Sequence, residues 1–212
     1  MINDKLNKDL KEYIEDNVFP LYSRNEEGHG ISHIKDVIQR SLNISKDYDV
    51  DINLVYTIAA YHDLGHYVDR KTHEIISAKM FMDDEHMKEF FDDDERKTIK
   101  EAIEDHRASS DHEPRSIYGK IVSTADRAIL DFETPIKRTY LYGLAHFPNL
   151  TKKEHVEEVY NHLKDKFGRN GYAKVYLNDP EYDESLEKFR KALDNKDEFI
   201  KIINEIVDKE NL

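Results

Sequence analysis

An imidazole and a carboxylate stand side by side at His62 and Asp63, and four further side chains able to hold a metal, His33, His73, His106 and Asp126, are spread over the surrounding hundred residues. Helical spacing gives each an orientation. Residues three, four and seven apart share one face of a helix, so a polar group on an apolar stripe points into the interior. Val55, Ala59, His62 and His66 fall on one such line, and Ile52, Ala59 and Asp63 on the next. His33 stands four residues before Val37, and His73 aligns with Ile76, Ser77 and Met80. Ile99, Ala102, Ile103 and His106 follow the spacing i, i+3, i+4, i+7, while Asp126 lies four after Val122 and three before Ile129.

A single inward histidine is most often a core residue bonded to a backbone carbonyl. An ionised carboxylate among aliphatic residues is costly unless it is paired, hydrogen-bonded or bound to a cation. One cause covers the whole set if a cation sits among these residues. Imidazole and carboxylate without sulfur suit divalent iron, manganese, cobalt, nickel or zinc, and magnesium less well. Six ligands exceed what one catalytic ion takes while leaving room for water, so one or two divalent metals are expected, with Asp63 as the bridge between two. Metal lowers the pKa of bound water and so generates a nucleophile for phosphorus or an acyl carbon. Metal charge also offsets the charge that develops on phosphoryl oxygens, and phosphoryl hydrolysis is therefore the better fit, with His62 and Asp63 at its catalytic centre.

The elements that must position these residues read as helices almost throughout, because seven Gly and five Pro are scattered among 3.6-period patterns rich in Glu, Lys, Leu and Ile. The first runs from about Asn3 to Pro20, and Ser23 to Gly30 reads as a loop. The second covers Ile31 to Tyr48. Asp51 caps a third that stops near Gly65, Thr72 caps a fourth, and Asp92 begins a fifth through Asp105. After the loop RASSDHEPR the pattern is helical from Ser116 to about Asp131. It is helical again from Thr134 to Ala145, from Lys152 to Phe167, and in two C-terminal helices after Pro180 and near Asp197. Tyr172 to Leu177 is the one strand-like stretch, a hairpin arm or an extended connector. The expected architecture is all-α, a single domain over residues 1–212.

Bulk composition narrows the function. With 45 acidic against 32 basic residues the net charge is −13, which opposes binding to a nucleic acid polymer or an anionic membrane surface but leaves room for a small phosphorylated substrate held by local cations. The absence of Cys removes disulfides, thiolate ligands, a Cys nucleophile and Cys-ligated clusters. No apolar run reaches the ~18 residues of a membrane span, and MINDKLNKDL lacks the apolar stretch of a secretory signal, so the expected location is cytoplasmic. The acidic run from Asp83 to Glu95 lacks the ligand spacing and central Gly of a calcium loop and carries Phe90 and Phe91, which fits a solvated helix face with an apolar underside.

The fragments HGISHIKDVI, AAYHDLGHY, THEIISAKM, IEDHR and IVSTADRAI, in that order over about residues 29–130, resemble the HD-domain metal-dependent phosphohydrolase superfamily. The resemblance implies an HD-type helical bundle in which His33, His62, Asp63 and Asp126 bind the essential metal, with residues 132–212 as accessory helices. His73 and His106 stand where members that bind a second metal carry two additional histidines. That pattern resembles the dinuclear branch, and a nucleotide-like substrate is expected from it. Family breadth leaves two other readings open, a dinuclear-iron oxygenase and a regulatory module that binds nucleotide and metal without turnover. His66 occupies a position that is often basic in relatives and meets substrate phosphate, so it is expected as a phosphate contact or proton donor.

Around this set, Arg107 and Arg115 bracket the loop before the Asp126 helix, and guanidinium groups suit phosphate. Both are expected as substrate contacts. Arg127 can equally form a structural ion pair. Glu74 is either a carboxylate that orients a ligand imidazole or a solvated first-turn residue. His29 either covers the mouth of the site or is an exposed loop histidine. His86, His112, His146, His155 and His162 have no arrangement that raises them above ordinary surface or helix positions.

Overall fold

Capping side chains account for where most helices begin. The computed structural model describes residues 5–127 and 131–212, and among them it contains ten α-helices and no strand. α1 (Lys8–Tyr13) starts behind Asn7, whose side chain accepts from the amides of Asp9 and Leu10. The single helix expected to run to Pro20 is broken: a wide π turn, Ile14–Val18, passes into a 3-10 segment, Phe19–Arg24, with Pro20 in its first turn. There the missing N–H leaves no bond unmade. α2 (Ile31–Ser45), α3 (Ile52–Tyr61), α4 (His73–Asp83), α5 (Asp93–Asp105) and α6 (Ile117–Asp126) follow. Asp51 caps α3, Ser116 caps α6, and Asp92 with Glu95 forms a reciprocal box at the start of α5. Thr72 precedes α4 as expected but makes no capping bond. The end of the helix expected to reach Asp131 and the position of Ile129 fall partly outside the described residues.

α3 stops at Tyr61, short of Gly65, because its last carbonyls are taken by side chains. The Tyr22 hydroxyl donates to the Ala60 carbonyl at 2.8 Å, and the His62 ring donates to that of Ala59. The chain then turns tightly through Gly65, whose amide donates to the Ser77 hydroxyl of α4. A Cβ at residue 65 would lie 2.7 Å from the Ile76 side chain and 2.9 Å from the Ser77 amide. Glycine is required here for that close approach.

The second group of helices is α7 (Glu133–His146), α8 (Lys152–Phe167), α9 (Pro180–Leu193) and α10 (Lys196–Lys209). Contacts divide the chain into two compact units: the first extends to Arg127 and includes Val175–Leu177, and the second holds the rest. The division falls close to the end of the motif-bearing stretch. Tyr172 to Leu177 is a connector that forms neither helix nor strand. In the first unit α2 packs on α3 and α6, while α5 packs on α3, α4 and α6. The inward stripes meet there in a core of Ile34, Val37, Val55, Ile58, Ala59, Phe81, Ile99, Ile103, Ile121 and Val122. In the second, α7 and α8 pack on each other and on α10, and α9 packs on α8 and α10. Its interior is filled by Tyr140, Tyr160, Phe167, Phe189, Phe199 and aliphatic residues.

Candidate metal centre

Each of the six expected ligands sits at or near the end of a helix in the first unit. His33 is the third residue of α2, His62 and Asp63 follow α3, His73 opens α4, His106 follows α5 and Asp126 closes α6. The carboxyl ends of α3, α5 and α6 carry partial negative charge, which favours a cation.

Three imidazoles are aimed by the same local device. Nδ1 of His62 donates to the Ala59 carbonyl at 2.8 Å, that of His73 to Arg70 at 2.9 Å, and that of His106 to Ile103 at 2.6 Å, in each case three residues upstream. With the proton on Nδ1, each ring presents the lone pair of Nε2. Nε2 of His73 and Nε2 of His106 face each other at 3.1 Å, an arrangement of two lone pairs that calls for a positive charge between or beside them. Nε2 of His33 and Nε2 of His62 are buried and have no hydrogen-bond partner, although they lie 3.1 and 3.7 Å from Oδ1 of Asp126. Buried polar atoms are rarely left this way without an ion or water to meet them.

Asp63 divides its two oxygens between these pairs. Oδ1 is 3.3 Å from Nε2 of His73 and 3.4 Å from that of His106. Oδ2 is 3.6 Å from Nε2 of both His33 and His62. The carboxylate thus stands between two subsites, His33, His62 and Asp126 on one side and His73 and His106 on the other. Burial would raise the pKa of Asp63 and of Asp126, but the surrounding imidazoles hold both carboxyls well below the usual range. Burial would lower His62, and Asp63 and Asp126 override it, bringing the ring up to about 9. A metal-free site therefore holds a proton where a cation would otherwise sit. Donor type, convergence and the orphaned Nε2 atoms fit a divalent ion.

His29 joins the cluster. Its Nδ1 lies 2.7 Å from Oδ2 of Asp63, and its ring stacks on His66 with centroids 3.9 Å apart. Composition could not single it out, since the stretch to Gly30 reads as a loop and only the fold shows the 3-10 turn Glu27–His29; the signal available was its spacing of four from His33. Asn25 fixes that loop. Its amide donates to the carbonyls of His29 and Asp63 and accepts from the amide of Tyr67.

The expected substrate contacts fare unequally. His66 is buried in the wall of the cluster, stacked on His29 and tilted toward His73. Burial, with His29 beside it, pushes its imidazole down to about 3, so it is neutral at ordinary pH and offers a hydrogen bond rather than a charge or a proton. Arg107 is partly exposed; it pairs with both Glu74 oxygens at 3.2 Å and also meets the Lys71 carbonyl. Glu74 in turn lies 3.5 Å from Nδ1 of His73. These two residues line an open cleft of about 620 Å³ that also involves Ile75, His112 and Arg115. Arg115 lines the same cleft, and Nε and Nη2 of its guanidinium are held by Asp105, Glu104 and the Glu101 carbonyl, which ties down the 107–115 loop. Arg127 is structural too, donating to the carbonyls of His106 and Arg107 and so joining the end of α6 to the end of α5. His112 bonds Asp105, and His155, expected at an ordinary helix position, is buried in the second unit.

Comparison with known families agrees with this geometry. The family model for the HD domain matches residues 30–129. Residues 30–129 are an HD domain. Solved structures share the fold. A predicted HD superfamily hydrolase from an uncultured Thermotogales bacterium is 22% identical, over 73% of this chain and 87% of its own, with a TM-score of 0.51. The Lin1889 protein of Listeria innocua is 25% identical over 88% of this chain and 96% of its own, with a TM-score of 0.58. A Lactobacillus plantarum protein is 19% identical over 94% and 97%, with a TM-score of 0.61. No functionally curated protein matches the sequence.

Proposed function

We propose that this HD-domain protein is a metal-dependent hydrolase that cleaves a phosphate ester or anhydride in a small, nucleotide-like substrate. The observation that carries the reading is Asp63, whose two oxygens are divided between two imidazole pairs at helix ends. The description of the Thermotogales neighbour as a hydrolase supports the reaction class. His33, His62, Asp63 and Asp126 would hold one ion, and His73 and His106, with Asp63, a second. A divalent ion held there supplies an acidified water and positive charge against phosphoryl oxygens.

The chain's own residues do the remaining work. Ala59, Arg70 and Ile103 fix the orientation of three imidazoles through their carbonyls, so the rings need not turn when a cation takes the place of the proton on His62. His66, neutral and buried, offers an N–H without adding charge next to Asp63. Arg107 is placed at the edge of the open cleft, where exchange of Glu74 for a substrate phosphate would leave its charge paired. In this acidic protein that is a local cation for an anionic substrate.

The test is metal analysis of the purified protein together with hydrolysis of monoesters, diesters, nucleotides and dinucleotides, with His62→Ala and Asp63→Ala as controls. Metal content with phosphate release that both variants lose is the expected result. Bound iron with oxygen consumption and no phosphate release would replace the reading with an oxygenase. Tight nucleotide binding without turnover would replace it with a regulatory module.

A further inference from the structure

His29 reaches the cluster from the 3-10 turn Glu27–His29, and its side chain is the most exposed of the interacting set, 29% against 3% for Asp63. Its contact is short and specific. An ionised carboxylate has only acceptors, so Nδ1 of His29, 2.7 Å from Oδ2 of Asp63, is the donor. The same oxygen faces the Nε2 atoms of His33 and His62 at 3.6 Å, while Oδ1 faces those of His73 and His106. A hydrogen bond on Oδ2 therefore fixes the rotation of the carboxylate about its own axis, and that rotation decides whether each oxygen reaches its own subsite.

The loop is built to hold this contact. Asn25 donates from one amide group to the carbonyls of both partners, His29 at 2.9 Å and Asp63 at 3.0 Å, and accepts from Tyr67 with its oxygen. Stacking on His66 then sets the plane of the ring.

We infer that His29 is a positioning residue, which by donating to Oδ2 holds Asp63 in the orientation that serves both subsites. The inference rests on the metal-dependent reading proposed above. It assigns His29 no place among the ligands and no proton transfer. Partners that orient ligating carboxylates typically change metal affinity or activity by about 10–100-fold when removed.

Three substitutions separate this role from simple packing. His29→Ala removes both the donor and the stacked ring. His29→Asn restores a short N–H donor without the ring, and His29→Phe restores the ring without the donor. Titration calorimetry with Mn2+ alone, on chelator-stripped protein, reads affinity and the number of ions bound, and steady-state kinetics on the best substrate of the panel reads kcat and KM separately. The expected pattern is a loss of about 10–100-fold in metal affinity for Ala and Phe, largely recovered in Asn, with kcat falling more than KM changes. Wild-type affinity in the Ala variant would overturn the inference, and so would recovery in Phe but not in Asn, which would assign His29 to packing. If the wild-type protein itself bound no metal, the functional reading would fail first. Asn25→Asp, which keeps the acceptor for Tyr67 but loses both donated bonds, is expected to reproduce the Ala result in weaker form.

Discussion

The two units of this chain bury different chemistry. The interior of the first carries His33, His62, Asp63, His66 and His106 among its aliphatic residues, whereas the second is filled by aromatic and aliphatic side chains, with His155 as its buried polar group among the described residues. Aromatic packing needs nothing further to be stable, while a cluster of lone pairs and carboxylates costs free energy until a cation meets it. The first unit thus sets a cluster able to hold a metal ion within its core, and the second is packed as core among its described residues. Function and stability should respond to different substitutions.

The largest separation is expected at the cluster. His62→Ala should lower hydrolysis by more than the ~10–100-fold typical of residues one step removed from a metal, with loss of bound metal by elemental analysis from protein that remains folded. A variant that kept full metal content would break the contrast. In the second unit, Phe189→Ala should cost about 3–5 kcal/mol in denaturant unfolding, because Phe189 is fully buried against Phe199 and Phe167. The folded fraction should still bind metal as the wild type does.

Smaller effects sharpen the comparison within the first unit. Gly65→Ala places a methyl group against Ile76 and the Ser77 backbone, and overpacking of this kind costs about 1–3 kcal/mol. The α4 start that carries His73 must shift to relieve it, so Mn2+ stoichiometry should fall toward one while the His33, His62 and Asp126 side is spared.

The finest probe is pH, applied to chelated protein by thermal melting. His66 is depressed to about 3, so the unfolded chain binds its proton first, and stability should decline as pH falls from about 6.5 toward 3. His62 is raised to about 9; its contribution is fully present below about 6.5 and is lost as pH rises through 9. Excess Mn2+ should flatten the alkaline limb, because the ion takes the place of the proton. An alkaline limb unchanged by metal would mean that His62 is not where the ion binds.

Much of this was legible in the residues. Capping chemistry at Asp51 and Asp92 marked helix starts, since each side chain answers amides that a helix leaves open, whereas Thr72 precedes its helix without a side-chain bond. Apolar spacing showed that His62, Asp63 and His106 face inward, and inward they lie. Arg115 shows the limit: nothing in the spacing of a loop guanidinium records that Asp105 and Glu104 hold it. His29 shows the converse: its spacing of four from His33 was the one local signal, and only the fold brought it to Asp63 rather than to water.

The sequence by itself determined the all-helical character, the inward faces of the motif helices and the types of ligand available, because periodicity and capping are local properties of neighbouring residues. Only the tertiary structure decided that α3 ends at Tyr61, that five helix ends meet, and that Asp63 turns one oxygen to each imidazole pair. Those outcomes depend on side chains distant in sequence, Tyr22 on Ala60, Asn25 on His29 and Asp63, and Arg127 on His106. No spacing rule records which of them will meet.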